Sequence, residues 1–136
     1  MKQRFRLVFL FLFFILILGI FSPVVLAVDI IDNVTIDTTW NDGDVITKAI
    51  NVGNSNNPII ITVNGMVTVK GTLTLAGSVT FTGNGTLKFS EEASKYKYGG
   101  IYTDKGSYSL TLDGGITIDY TVPGINVSVK GICKQI

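Results

Sequence analysis

Short apolar–polar–apolar runs recur along this chain at intervals too tight for hairpins. Ile59-Ile60-Ile61-Thr62-Val63, Val67-Thr68-Val69, Leu73-Thr74-Leu75, Val79-Thr80-Phe81 and Leu87-Lys88-Phe89 follow one another closely. Leu110-Thr111-Leu112, Ile116-Thr117-Ile118 and Ile125-Asn126-Val127-Ser128-Val129 resume the pattern later. Period-two alternation in β-branched residues and Thr marks strands with one buried face. No window beyond Ala27 shows a helical period. Between the runs stand Asn64-Gly65, Gly71, Gly77, Gly83-Asn84-Gly85, Gly114-Gly115 and Pro123-Gly124, residues expected to supply positive-φ corners.

Val67, Leu73 and Val79 are evenly spaced, and Leu110 to Ile116 repeats the interval. An antiparallel β-sandwich, the alternative fold, needs longer strands and hairpin turns. Strands and bends this short suit a coil that keeps turning the same way. The expected fold is therefore all-β, a short right-handed parallel β-helix whose turns stack strand on strand. Two or three strands per turn give a rung of roughly 20 residues and about four or five rungs. Gly71-Thr72-Leu73-Thr74-Leu75 and Gly85-Thr86-Leu87-Lys88-Phe89 read as echoes from successive rungs.

The first segment stands apart. Lys2, Arg4 and Arg6 precede an apolar run from Leu7 to Ile20, then a break at Ser22-Pro23 and the small-residue site Val25-Leu26-Ala27. This is the pattern of an export signal cut after Ala27, leaving a domain of residues 28–136 that is secreted or held at the cell surface. The rival is an uncleaved membrane anchor, since the stretch from Leu7 to Val28 approaches the ~20 apolar residues of a spanning helix.

Removing residues 1–27 changes the charge. The whole chain carries +1, but beyond Ala27 eight lysines face all ten acids, a net −2. A mildly acidic exported domain lacks the dense cationic patch that nucleic acid requires. Both arginines, Arg4 and Arg6, lie in the signal, and the chain contains no histidine. Cys133 has no partner cysteine within the sequence; it reads as a small apolar residue, with a reactive or intermolecular thiol as the alternative.

Thr38-Thr39-Trp40, Val67-Thr68-Val69, Gly71-Thr72-Leu73-Thr74-Leu75 and Gly85-Thr86-Leu87-Lys88-Phe89 resemble the opening rungs of right-handed β-helices in bacterial surface proteins, many of them in the pectate-lyase-like superfamily. The similarity spans Thr38 to Phe89 and continues more loosely to Val129. It implies architecture rather than activity, because that superfamily holds lyases, hydrolases, adhesins and passive stalks. Its lyases use an arginine base with calcium-binding carboxylates, and its hydrolases use clustered Asp with His and an Arg-Lys pair. Beyond Ala27 this chain offers neither Arg nor His, so a non-enzymatic module is expected and a degenerate lyase fragment is the third reading. Two departures stand out. The stretch from Val45 to Pro58 is long and Asn-rich, and the sequence stops at Lys134-Gln135-Ile136 without a polar cap. Uncapped strand edges invite end-to-end self-association.

Candidate residues fall into three groups. Asp113 and Asp119 are the one pair suggesting hydrolytic carboxylates, with separate solvated corners as the plainer reading. Asp29, Asp32, Asp37, Asp42 and Asp44, around Asn41-Asp42-Gly43-Asp44, suggest an ordinary turn, with calcium as the lesser reading; no other cofactor is expected. Lys95-Tyr96-Lys97-Tyr98-Gly99-Gly100-Ile101-Tyr102-Thr103-Asp104-Lys105-Gly106-Ser107-Tyr108 interrupts the rhythm and concentrates rings and lysines. Tyr96, Tyr98, Tyr102 and Tyr108 offer flat faces, and Lys95, Lys97 and Lys105 offer charge to acidic sugars. The expected partner is a polysaccharide or cell-wall glycan, with membrane contact only through the export signal. The alternatives are a long structural corner for this segment and a ligand-free stalk or adhesin segment for the whole domain.

Overall fold

The computed structural model describes residues 26–103, 105–129 and 133–135. The signal expected over residues 1–27 lies outside them except for its last two residues.

Fourteen short strands form among the described residues. They are β1 (Asp29–Ile30), β2 (Thr38–Trp40), β3 (Val45–Ile46), β4 (Ile50–Val52), β5 (Ile59–Val63), β6 (Met66–Val69), β7 (Thr72–Leu75), β8 (Val79–Gly83), β9 (Thr86–Phe89), β10 (Gly100–Thr103), β11 (Leu110–Leu112), β12 (Thr117–Asp119), β13 (Asn126–Val129) and β14 (Cys133–Gln135). They assemble into three sheets, ordered β1-β3-β6-β9-β12, β4-β7-β10-β13 and β2-β5-β8-β11-β14. Every strand pairing is parallel.

The chain visits the three sheets in turn, so β6, β7 and β8 make one rung. In the first rung a lone parallel bridge, Val34 to Val52, stands where the second sheet would have a strand. The molecule is a short right-handed parallel β-helix of three sheets, and the described residues contain no α-helix.

Why this sequence coils follows from its core. In the second sheet Ile50, Leu73 and Ile101 stack in register and are all buried. In the first sheet Val67 stacks on Leu87, and Val69 on Phe89. Each such side chain removed from water contributes about 1.5–3 kcal/mol. Near the start of the coil Trp40 packs on Phe81 with ring centroids 5.8 Å apart. Its Nε1–H is buried without an acceptor, a cost the surrounding apolar contacts offset.

The even spacing of Val67, Leu73 and Val79 is that of successive strands within one turn of the coil, as expected. The segments around Leu73 and Leu87 lie in successive rungs, also as expected, but in different sheets, so they do not stack on each other. Leu73 stacks on Ile50 and Ile101, and Leu87 on Val67 and Ile118. One expectation needs correction: Gly65, Gly83, Gly114 and Gly124 do hold positive φ, whereas Gly71, Gly77, Gly85 and Gly115 do not. Gly71 and Gly77 are required for space instead. A Cβ on Gly71 would fall on the Lys48 carbonyl, and one on Gly77 on the Asn54 backbone.

The Asn41–Asp44 segment is a structural turn. Asp44 is buried; its Oδ1 accepts from Val28 N–H at 2.8 Å and its Oδ2 from Asn41 N–H at 2.8 Å. Asp42 Oδ1 accepts from Met66 N–H at 2.7 Å, and Asp37 Oδ1 from Ile60 N–H at 2.8 Å. Asp37 and Asp42 thus cap strand N–H groups of the neighbouring rung, while Asp44 closes its own turn and ties it to Val28. Among the described residues no cluster of three or more His, Cys, Asp or Glu is placed to hold a metal.

Candidate functional site

The tyrosine-rich segment is not one corner. Gly100 takes φ 107°, a region open to glycine at little cost, and turns the chain into β10. Along β10 the buried Ile101 and Thr103 alternate with the half-exposed Tyr102, which lies in register with Thr74 on one side and Ser128 on the other. Tyr102 is therefore a strand residue on the outer face of the second sheet.

The connection from β9 to β10 is shaped locally. A single 3₁₀ turn, Ala93–Lys95, forms where Ser94 Oγ donates to the Glu91 carbonyl at 2.7 Å and Tyr96 N–H to the Ala93 carbonyl at 3.2 Å. Ala93 is fully buried and plugs the corner. Gly99 leaves room for the Ala93 carbonyl, which would lie only 2.6 Å from a Cβ there. The Thr72 hydroxyl donates to the Tyr98 carbonyl at 2.8 Å, tying the bend to the rung below.

These supports bring Tyr98 onto Tyr102. Their rings stack with centroids 4.0 Å apart and planes 5° from parallel. Lys97 Nζ lies 5.1 Å from the Tyr98 centroid, within cation–π range. Tyr98 is 44% exposed.

The other tyrosines lie apart from this pair. Tyr96 and Lys95 line a groove of about 470 Å³ with Thr47, Lys70 and Glu92. Lys70 and Lys95 meet there because β6 stacks on β9 and β7 on β10, which aligns the two connections. Lys70 Nζ is 3.8 Å from Glu92 Oε1. The Ser90 hydroxyl, donating to Glu92 Oε2 at 2.5 Å, holds the Glu92 carboxyl below its ordinary range, helped by its own backbone N–H and by Lys70 and Lys95. At the opposite end of β10, Tyr108 lines a cleft of about 180 Å³ with Ser78, Ser107 and the loop from Asn54 to Pro58. Lys105 is exposed in the bend between, its N–H donating to Thr103 Oγ1 at 3.1 Å.

Of the seven residues singled out by sequence, the structure thus joins Tyr98, Tyr102 and Lys97 in one patch and Tyr96 with Lys95 in another. Tyr108 and Lys105 lie at the far end of β10. Thr47, Thr72 and Lys70 were not foreseen; Lys70 directly follows an alternating run, and only the stacking of connections brings it beside Lys95.

Asp113 and Asp119 fall at successive elements of the coil, and Asp119 has a structural role. Asp113 sits in the bend after β11, its N–H donating to the Phe81 carbonyl at 2.9 Å. Asp119 ends β12 rather than occupying a corner. It accepts from the Thr121 hydroxyl at 2.9 Å and the Thr121 N–H at 3.1 Å. These bonds, with a smaller contribution from Lys88, hold its carboxyl below the ordinary aspartate range.

Comparison with family profiles, curated proteins and solved structures returned no match. What stands of the resemblance is the architecture of three parallel sheets wound into a coil. Chemically, the site offers an aromatic pair beside a cation, a groove holding two lysines, and a neutral cleft, all along one side of the solenoid.

Proposed function

We propose that this domain is a non-catalytic β-helix module, exported after a cut at Ala27, that binds acidic polysaccharide along its second sheet. The observation carrying this reading is the Tyr98–Tyr102 stack with Lys97 over its outer ring. The stack fixes the exposed Tyr98 ring in one orientation, so a sugar ring meets a surface that is already ordered. An uronate carboxylate finds cations in Lys97 and Lys95, while Lys70 in the same groove is paired with Glu92. A solenoid face also suits an extended polymer, because stacked rungs form one long continuous surface.

A glycan array probed with the full chain, with and without calcium, tests the proposal. Retention on polyuronates independent of calcium is expected. Absence of binding to every glycan would leave a structural stalk as the better account, and a shortened glycan product would reveal an enzyme. End-to-end association belongs to the same proposal. The edge strands β12, β13 and β14 close their sheets with no further strand among the described residues, and size-exclusion chromatography over a concentration series reads it out. Cys133 lies in β14 opposite Leu110; its side chain is not among those described.

A further inference from the structure

The Asn-rich stretch that lengthens the connection between β4 and β5 has no part in the coil itself. It overhangs the corner where β4, β7 and β10 lead into β5, β8 and β11. The middle rung turns this corner tightly through Ala76, Gly77 and Ser78, while the rungs on either side carry longer connections. The result is a cleft of about 180 Å³ with Ser78 between two walls, Asn54 to Pro58 from one rung and Ser107 with Tyr108 from the other.

The walls are held in place. Asn54 Oδ1 accepts from Asn56 N–H at 2.9 Å, closing the loop on itself, and Asn54 Nδ2 donates to the Thr35 carbonyl at 3.4 Å. Gly77, lacking a side chain, lets the Asn54 backbone seat directly on the corner. On the other side Ser109 N–H donates to Ser78 Oγ at 3.0 Å, tying the Tyr108 wall to the middle rung.

The lining selects a ligand class. It holds amides, hydroxyls, the Pro58 ring and one aromatic ring, and no carboxylate or ammonium. A charged ligand would meet no countercharge, and an apolar one would cover amides without satisfying them. Amides and hydroxyls both donate and accept, as sugar hydroxyls do, while the Tyr108 ring offers an apolar face to the C–H side of a sugar. The volume falls below the roughly 300–1,000 Å³ of pockets for drug-sized ligands, which leaves room for one ring. We infer that this cleft binds a single neutral pyranose, a terminal or branch residue of the polymer. The inference rests on the polysaccharide reading for its context but uses none of the lysines.

The test is NMR titration of the full chain with the methyl glycosides of glucose, galactose, mannose and N-acetylglucosamine. At least one should bind with a millimolar Kd, as expected for so small a ligand, and shift the Tyr108 ring and Asn57 side-chain signals. Tyr108→Ala and Asn57→Ala should each weaken that binding about tenfold. Asn57 is exposed in its loop, so its variant keeps the test independent of folding. Shifts absent for all four glycosides at concentrations well above millimolar, or undiminished in both variants, overturn the cleft. Glycoside binding that follows this pattern without any polyuronate binding upholds the cleft and removes the acidic-polymer reading instead.

Discussion

The Tyr98 ring lies on the Tyr102 ring with centroids 4.0 Å apart and planes 5° from parallel. One ring comes from a bend and the other from a strand whose register Thr74 and Ser128 fix. The pair thus couples an irregular loop to the most regular part of the molecule. Replacing Tyr98 with Ala should weaken polyuronate binding about tenfold while lowering stability by about 1 kcal/mol, the scale of one aromatic pair. Tyr98→Phe should retain most of both. Affinity measurements paired with thermal melts separate the two effects; loss of folding in Tyr98→Ala would show a purely structural ring.

Core and surface positions of one strand should behave oppositely. Leu73 is fully buried between Ile50 and Ile101, so Leu73→Ala should cost roughly 2–5 kcal/mol. Thr74, the next residue, faces outward, and Thr74→Ala should stay within about 0.5 kcal/mol. Denaturant unfolding of both variants measures the contrast.

Two glycines give a second contrast. A Cβ at Gly77 collides with the Asn54 backbone, whereas one at Gly106 meets nothing within 4 Å. Gly77→Ala should destabilise by about 1–3 kcal/mol as the two rungs are forced apart. Gly106→Ala should be neutral or slightly stabilising. Equal melting temperatures for the two would contradict the close corner packing.

Much of this was legible beforehand. Period two exposed the strands from Ile59 to Phe89 because both neighbouring rungs bury the same alternate residues, so the pattern is undiluted. Strands β1, β3, β4 and β10 were hidden. The first two are only two residues long, and in β10 the Gly100 start and the outward Tyr102 hide the inward Ile101 and Thr103. The concentration of tyrosines and lysines was visible as composition. Its division among three patches was not, because separation is set by which connections stack, and that depends on strand registers far apart in sequence.

Asp119 supplies a pH test. The Thr121 bonds depress its carboxyl, so the charged form is favoured in the folded state. Its contribution to stability is present above the ordinary aspartate value of about 3.9 and is lost as pH falls through the lowered folded value. NMR titration should place Asp119 below the ordinary range, and Thr121→Val should move it part of the way back. An unmoved titration in Thr121→Val would remove the hydroxyl as the main cause.

The most direct measurement of acidic-polymer binding is calorimetric titration of the full chain with a polyuronate and with a neutral polymer of the same linkage, at low and at high salt. Lys95 and Lys97 are exposed, and exposed charges are screened within about 10 Å at 0.1 M salt. Tighter binding of the polyuronate at low salt is expected. That preference should shrink as salt rises and diminish in Lys95→Ala and Lys97→Ala. Equal affinity for the two polymers at low salt, or no binding of either, would contradict the account.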